Sequence, residues 1–223
     1  MVFVFQERGS DAPFVERVWQ TQSHHAGSFV SHAATQWEMV IRKHRGKTVF
    51  TIRGPATKAG TADFPGDAEY FGIVFRLGTF MPQLPTVNRL DGNNVDLPEA
   101  TGNSIWLDSS TWQLPTYENA DTFVSRLVHK GLLACDPIVE AVLQDQVPPM
   151  SIRSLQYRFV RATGLTYKVI QQIKRAQLAR SLLVQGIPIF DTVHETGYFD
   201  QSHLTNSLRR FIGQTPAQIV GMK

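Results

Sequence analysis

The strongest constraint on the fold comes from residues 197–216, GYFDQSHLTNSLRRFIGQTP, which have the pattern of one amphipathic helix. An apolar stripe recurs at helical intervals and consists of Leu204, Leu208, Phe211 and Ile212. Asp200 stands where an N-cap residue is expected, and Gly213 follows the last apolar position. The opposite face carries hydrogen-bonding and cationic side chains, namely Gln201, Ser202, Asn206, Arg209 and Arg210. Such a face suits a polar, negatively charged partner.

The segment before this helix predicts a helix-turn-helix unit. A short helix over 189–196 is followed by Gly197, whose missing β-carbon allows the backbone conformation of a tight turn. Further upstream, the spacing predicts a helix from Ser151 to about Thr163 and a longer helix over about 166–185. Between Pro137 and Met150 there is room for about one helix and a loop.

The first part of the chain has a different period. Residues 37–55 contain two strand-like runs around HRGK and predict a hairpin with Gly46 in its turn. Residues 69–78 and 28–33 predict further strands, and turns rich in Gly and Pro separate these runs. From Asn119 the pattern becomes helical, and it predicts a helix over about 119–133.

Composition narrows the class of protein. The chain has 223 residues, of which 42% are hydrophobic and 18% are charged, as in globular proteins. No run approaches the roughly 20 apolar residues of a membrane helix, and no secretory signal is recognisable at the start. A single cysteine, Cys135, allows no internal disulfide, so we expect a cytoplasmic protein. Residues 1–135 hold 12 Lys+Arg and 13 Asp+Glu, whereas residues 136–223 hold 10 and 6. The positive excess therefore lies in the C-terminal part.

These patterns predict an α+β chain with two main parts. Residues 1–118 are expected to form an all-β domain, either a sandwich or a small barrel. Residues 119–135 are expected to form a connecting helix, and residues 136–223 an all-α domain. The connecting helix is also a candidate dimer face, although its apolar stripe could equally pack on the β domain.

The C-terminal motifs support a specific resemblance. The stretch GYFDQSHLTNSLRRFIGQTPAQI resembles the terminal signature of the AraC/XylS family of bacterial transcription regulators. The similarity continues upstream through SIRSLQYRFVRATGLTYKVIQQIKRAQLARSLL, residues 151–183. In that family, one linker helix joins two helix-turn-helix units whose recognition helices lie on one face of DNA. The resemblance implies that residues 136–223 are a DNA-binding domain of this kind. It also implies that residues 1–118 are a sensor or ligand-binding domain, which is often cupin-like in this family. A linker of about 19 residues spans roughly 28 Å, which suits successive major-groove segments about 34 Å apart.

The resemblance also assigns roles to individual residues. Base-reading positions fall on Arg153, Gln156, Tyr157, Gln201, Ser202 and Asn206. Phosphate contacts fall on Arg158, Lys174, Arg209 and Arg210. Arginine can bind guanine, and glutamine or asparagine can pair with adenine. Asn206 and Tyr157 depart from the family, which often has arginine at these two positions, so base preference should differ.

Other sites are less well supported by the sequence. The histidines His24, His25, His32 and His44 do not have the spacing of a metal site, because adjacent histidines cannot both face inward on one strand. Four aromatic residues could line a ligand pocket, although aromatics on strands more often belong to the core; they are Trp37, Phe71, Phe75 and Trp106. No dinucleotide fingerprint or nucleophile motif occurs, so we expect no cofactor and no enzymatic activity.

The sequence therefore predicts a DNA-binding transcription regulator. Its expected partner is double-stranded promoter DNA, with a small-molecule effector or a second copy of the chain acting through the N-terminal domain. Two alternatives remain open at this level. One is a helical interaction protein that binds another protein, and the other is a β-domain enzyme with a regulatory helical part.

Overall fold

The computed structural model describes residues 3–144, 146 and 149–221. The strands, in chain order, are β1 (Phe3–Gly9), β2 (Val15–Ser23), β3 (Gly27–Ser31), β4 (Glu38–His44), β5 (Lys47–Arg53), β6 (Gly60–Phe64), β7 (Ala68–Phe75), β8 (Thr79–Phe80), β9 (Val95–Leu97), β10 (Glu99–Ala100), β11 (Ser104–Leu107), β12 (Ser110–Gln113) and β13 (Ala134–Cys135). The α-helices are α1 (Ala120–His129), α2 (Pro137–Leu143), α3 (Ile152–Thr163), α4 (Tyr167–Gln185), α5 (Ile189–Thr196), α6 (Gln201–Phe211) and α7 (Pro216–Val220). A 3-10 segment covers Thr86–Gly92.

Contacts divide the chain into two compact units. We call the first the N-terminal unit; it comprises Met1–Gly27, Gln36–Pro55 and Asp63–Leu165. The second, the C-terminal unit, comprises Ser28–Thr35, Ala56–Ala62 and Thr166–Lys223. The domain boundaries predicted at 118 and 136 follow the change from strand to helix, and they stay a prediction. The division by contacts is different, because it places α2 and α3 in the N-terminal unit with the strands.

The N-terminal unit is built on a six-stranded antiparallel sheet with the order β1-β2-β7-β4-β5-β9. The predicted hairpin is confirmed: β4 and β5 pair through Lys43↔Thr48 and His44↔Lys47. Its two turn residues have positive φ, 48° at Arg45 and 74° at Gly46. Two positive φ values match the right-handed twist of the strands. An all-β first part is therefore confirmed, and the cupin-like form stays a prediction.

Helix α1 packs its apolar stripe into the core of the N-terminal unit. Phe123, Val124 and Leu127 are at most 4% exposed. The Phe123 ring lies 6.4 Å from that of Phe50 and 6.0 Å, edge to face, from that of Trp112. Burial of this stripe stabilises the sheet. Of the two roles predicted for this helix, the structure favours packing on the β domain, so the stripe is not free to form a dimer face.

The helical second part agrees with the predicted elements. Ser151, Thr166 and Asp200 each accept a backbone N–H of the following helix and are its N-cap. One N-cap bond of this kind contributes about 1 kcal/mol. Between α2 and α3, residues 145, 147 and 148 lie outside the described residues, so the predicted loop of the first unit is described only in part. No described helix has both the length and the apolar character needed to cross a membrane.

Candidate nucleic-acid interface

Helix α6 is oriented by its first turn. Gly197 ends α5 with φ 69°, a left-handed conformation that a β-carbon would strain. Three residues later, the Asp200 carboxylate accepts the His203 backbone N–H at 2.7 Å. This cap satisfies a backbone donor that the helix leaves unpaired, so the polar N-terminal turn of α6 begins at a defined point.

The buried side of α6 holds the helix on its unit. Leu204 and Leu208 are 0% exposed, and Phe211 is 3% exposed. The hydroxyl groups of Tyr198 and Ser207 lie 2.7 Å apart, which connects the turn to the helix. Burial raises the pKa of Tyr198, so this phenol stays protonated and can donate in that bond.

The opposite side of α6 presents the polar side chains that the sequence singled out. All are exposed and lie on one helix: Gln201, Ser202, Asn206, Arg209 and Arg210. The offsets of Ser202, Asn206, Arg209 and Arg210 place them away from the buried leucines, whereas Gln201, three residues before Leu204, is exposed in the first turn of the helix. The predicted second set of base-reading residues and two predicted phosphate contacts are therefore brought together on one accessible surface.

The C-terminal end of α6 has a partner that sequence reasoning missed. Backbone N–H groups of Ala33 and Ala59 donate to the carbonyls of Phe211 and Arg210, at 2.7 and 2.8 Å. The Gln177 amide of α4 donates to the Ala33 carbonyl at 3.1 Å. Two segments next to β3 and β6 thus satisfy helix-end carbonyls that would otherwise lack a hydrogen-bond donor. The bonds from Ala33 and Ala59 join backbone atoms, so no residue type in the sequence indicates them.

Helix α3 carries the first predicted set. Arg153, Gln156 and Tyr157 are exposed, and Tyr157 retains 67% of its accessible surface. An aromatic side chain with this degree of exposure is available to a partner. Phe159 on the other side is fully buried, which anchors the helix in the N-terminal unit.

Arg158, predicted as a phosphate contact, is engaged within the protein. Its Nη1 atom donates to both carboxylate oxygens of Asp136, at 3.1 and 3.0 Å. The Asp136 side chain is 7% exposed and also accepts the Ile138 backbone N–H as the N-cap of α2. Arg158 therefore joins α2 to α3. Lys174, by contrast, is exposed on α4 as a phosphate contact requires.

We expect Arg158→Gln to lower the free energy of unfolding by about 1–3 kcal/mol, because it leaves a nearly buried carboxylate without its cation. The expected loss of stability is smaller than for a fully buried ion pair, because the Arg158 side chain is 42% exposed. Urea unfolding measures it, with the exposed Arg153→Gln as control. A variant of unchanged stability that shows a smaller salt dependence of DNA binding would instead support the phosphate role.

The four aromatic residues predicted for a ligand pocket lie in different environments. Trp37 and Phe75 stack at 4.0 Å between ring centroids and are at most 4% exposed, so they belong to the core. Trp106 is 48% exposed on β11. Phe71 lines a cavity with a volume of about 450 Å³.

The histidines weighed as metal ligands are placed in three different environments. His24 and His25 are exposed between β2 and β3, and His44 ends β4. His32 is half-buried, and burial together with the nearby Arg180 lowers its pKa. Within the described part of the chain, no three His, Cys, Asp or Glu residues group as a metal site would require.

Comparison with known proteins adds a family match and several relatives. Residues 149–221 match the family model described as a helix-turn-helix domain. The HTH-type transcriptional regulator VirS from Mycobacterium tuberculosis is 29% identical over 178 residues, which cover 75% of this chain and 51% of VirS. The HTH-type transcriptional regulator RipA from Corynebacterium glutamicum is 28% identical over 88 residues, 39% of this chain and 27% of RipA. The chain thus spans about half the length of one relative and about a quarter of the other.

The crystal structure of ToxT from Vibrio cholerae O395 is similar with a TM-score of 0.40 and 9% identity, over 98% of this chain and 97% of ToxT.

Proposed function

We propose that this chain is a sequence-specific DNA-binding transcription regulator. The proposal starts from the helix-turn-helix domain of AraC/XylS type at residues 149–221. The single observation that carries the proposal is the exposed polar face of α6. Gln201 in the first turn and Ser202 and Asn206 on the exposed side offer amide and hydroxyl groups, and Arg209 and Arg210 add positive charge on that side. Base edges in the major groove are read by such amides, and phosphates are bound by such cations.

The experiment that tests the proposal is selection of DNA from a random-sequence library by the purified chain. Fluorescence anisotropy then compares the enriched duplex with a scrambled duplex of the same composition. A sequence-specific regulator binds the enriched duplex at least about a thousandfold more tightly. Equal affinity for both duplexes would reject sequence-specific binding.

We expect Gln201→Ala to weaken binding to the enriched duplex by about 1–3 kcal/mol and to leave binding to the scrambled duplex unchanged. The reason is that a bidentate amide contact distinguishes bases, whereas non-specific affinity depends on phosphates. Gln185→Ala is the matched control, because Gln185 is also exposed in the C-terminal unit but lies at the end of α4. Equal losses on both duplexes would contradict a base-reading role for Gln201.

A protein partner for the same face is the main alternative. Binding to phosphates releases counterions, so log affinity falls steeply and linearly with log salt. A partner protein held mainly by the neutral amide and hydroxyl groups of that face would give a shallow slope. Steep dependence together with selectivity between duplexes supports DNA, and neither is expected of an interaction module.

We also infer control through the N-terminal unit by a small molecule. The cavity beside Phe71 supports this, because it combines that ring with polar groups from Gln20, Lys43, Glu69 and Tyr70. A volume of about 450 Å³ lies in the range of small-ligand sites. A metabolite screen by thermal unfolding tests it, with the effect of each hit on DNA affinity as the second readout. Dimerisation is the other route of control, and sedimentation measures it directly.

A further inference from the structure

A second polar surface lies beside the exposed face of α6. Helices α4 and α6 border an open cleft with a volume of about 570 Å³. We call it the α4–α6 cleft; the lining side chains that matter here are Lys168, Gln171, Arg175, His203, Asn206 and Arg210. Each helix contributes residues at successive intervals of three and four, so each presents one continuous stripe to the cleft.

The cleft is cationic. Lys168, Arg175 and Arg210 are exposed, and no ion pair joins any of them to a described carboxylate. None of the described residues lining the cleft is acidic. Three cations around one depression repel one another, and an anion placed there removes that repulsion.

Part of this lining is held in place by aromatic contacts. The Arg175 guanidinium carbon lies 5.5 Å from the centre of the Tyr198 ring, and His203 meets the same ring edge to face at 5.1 Å. Tyr198 itself is 6% exposed and pairs with Ser207. The floor is therefore packed, and Arg175 is oriented before any ligand arrives, which lowers the ordering cost of binding.

We propose that the α4–α6 cleft binds the DNA backbone, with Lys168 and Arg175 contacting phosphate groups at one edge of the major groove. The proposal rests on the proposed function, and it adds a second helix to the binding surface. Asn206 and Arg210 belong both to the exposed face of α6 and to the cleft, so the two surfaces are continuous. A helix inserted in the major groove has a phosphate strand along each of its sides. The strand on the side of His203 and Arg210 would pass the cleft.

The test is a salt series of anisotropy measurements on Lys168→Gln, with the enriched and scrambled duplexes. Losing one phosphate contact lowers the slope of log affinity against log salt by about 0.9, and affinity by about tenfold at 0.1 M salt. Both duplexes should lose affinity equally, because phosphates carry no sequence information. The double variant Lys168→Gln, Arg175→Gln should lower the slope by about 0.9 again.

The matched control is Lys58→Gln, because Lys58 is an exposed lysine of the same unit outside the cleft. Thermal unfolding of each variant shows whether the fold is kept. If wild type selects DNA but Lys168→Gln behaves like Lys58→Gln, the cleft proposal is wrong and the proposed function stands. A loss of affinity with an unchanged slope also overturns it, since it is not a phosphate contact. If wild type does not select DNA, the proposed function fails, and the cleft proposal fails with it.

Discussion

Leu204→Ala should lower the free energy of unfolding of the C-terminal unit by about 2–5 kcal/mol, the usual range for a fully buried leucine. Leu204 is 0% exposed and lies on the apolar stripe that holds α6 to its unit. Three lost carbon atoms leave a cavity that neighbouring side chains fill only in part. Loss on this scale is a large fraction of the stability of a small unit, so DNA binding should fall with it.

The informative comparison is with Ser202→Ala on the same helix. Ser202 is exposed, so its replacement should change stability by less than about 0.5 kcal/mol while reducing selectivity between enriched and scrambled duplexes. Urea unfolding and anisotropy, measured on both variants, distinguish a side chain that holds the helix on its unit from one that contacts DNA. If Leu204→Ala keeps wild-type stability, burial of the leucines does not hold α6 on its unit. The leucines would then not be what keeps the opposite side of α6 exposed to a partner.

The sequence was sufficient for α6 because every signal there is local. An N-cap aspartate, an apolar stripe and a turn glycine all lie within about twenty residues, and each has a distinct physical cause. Helices α3, α4 and α5 were predictable for the same reason, with Ser151 and Thr166 as caps and Gly164 and Gly186 in left-handed conformations at the ends. Helix α7 was missed, although Thr215 and Gln218 form a capping box around its first turn.

Long-range contacts were beyond the sequence. The grouping of residues 28–35 and 56–62 with the helix-turn-helix residues depends on backbone bonds from Ala33 and Ala59, which no side-chain pattern encodes. The ion pair of Arg158 was beyond the sequence for a related reason, and its role as a phosphate contact stays a prediction. Charge alone predicts that an arginine binds an anion. Here the carboxylate of Asp136, twenty-two residues away, is an anion within the protein that Arg158 binds.

Gly54→Ala should destabilise the N-terminal unit by about 3 kcal/mol or more. A β-carbon at Gly54 would lie 2.0 Å from the Arg89 carbonyl oxygen and 2.6 Å from its carbon. Backbone atoms cannot rotate away as a side-chain tip can, so the segment carrying Arg89 must shift; overpacking of this kind costs about 1–3 kcal/mol and sometimes more. Arg89 is itself 4% exposed, so the shift would disturb a closely packed region.

The effect should extend to helix α3. The displaced Thr86–Gly92 segment also meets Gly164 at the end of α3, where a β-carbon would come within 3.1 Å of the Val87 backbone nitrogen. We therefore expect Gly54→Ala to lower both the urea midpoint and the affinity for the enriched duplex. Gly9→Ala is the matched control, since Gly9 lies in the same unit with nothing within 4 Å of an added β-carbon. A Gly54→Ala protein as stable as Gly9→Ala would mean that this close approach does not support α3. The first predicted set of base-reading residues would then need another anchor.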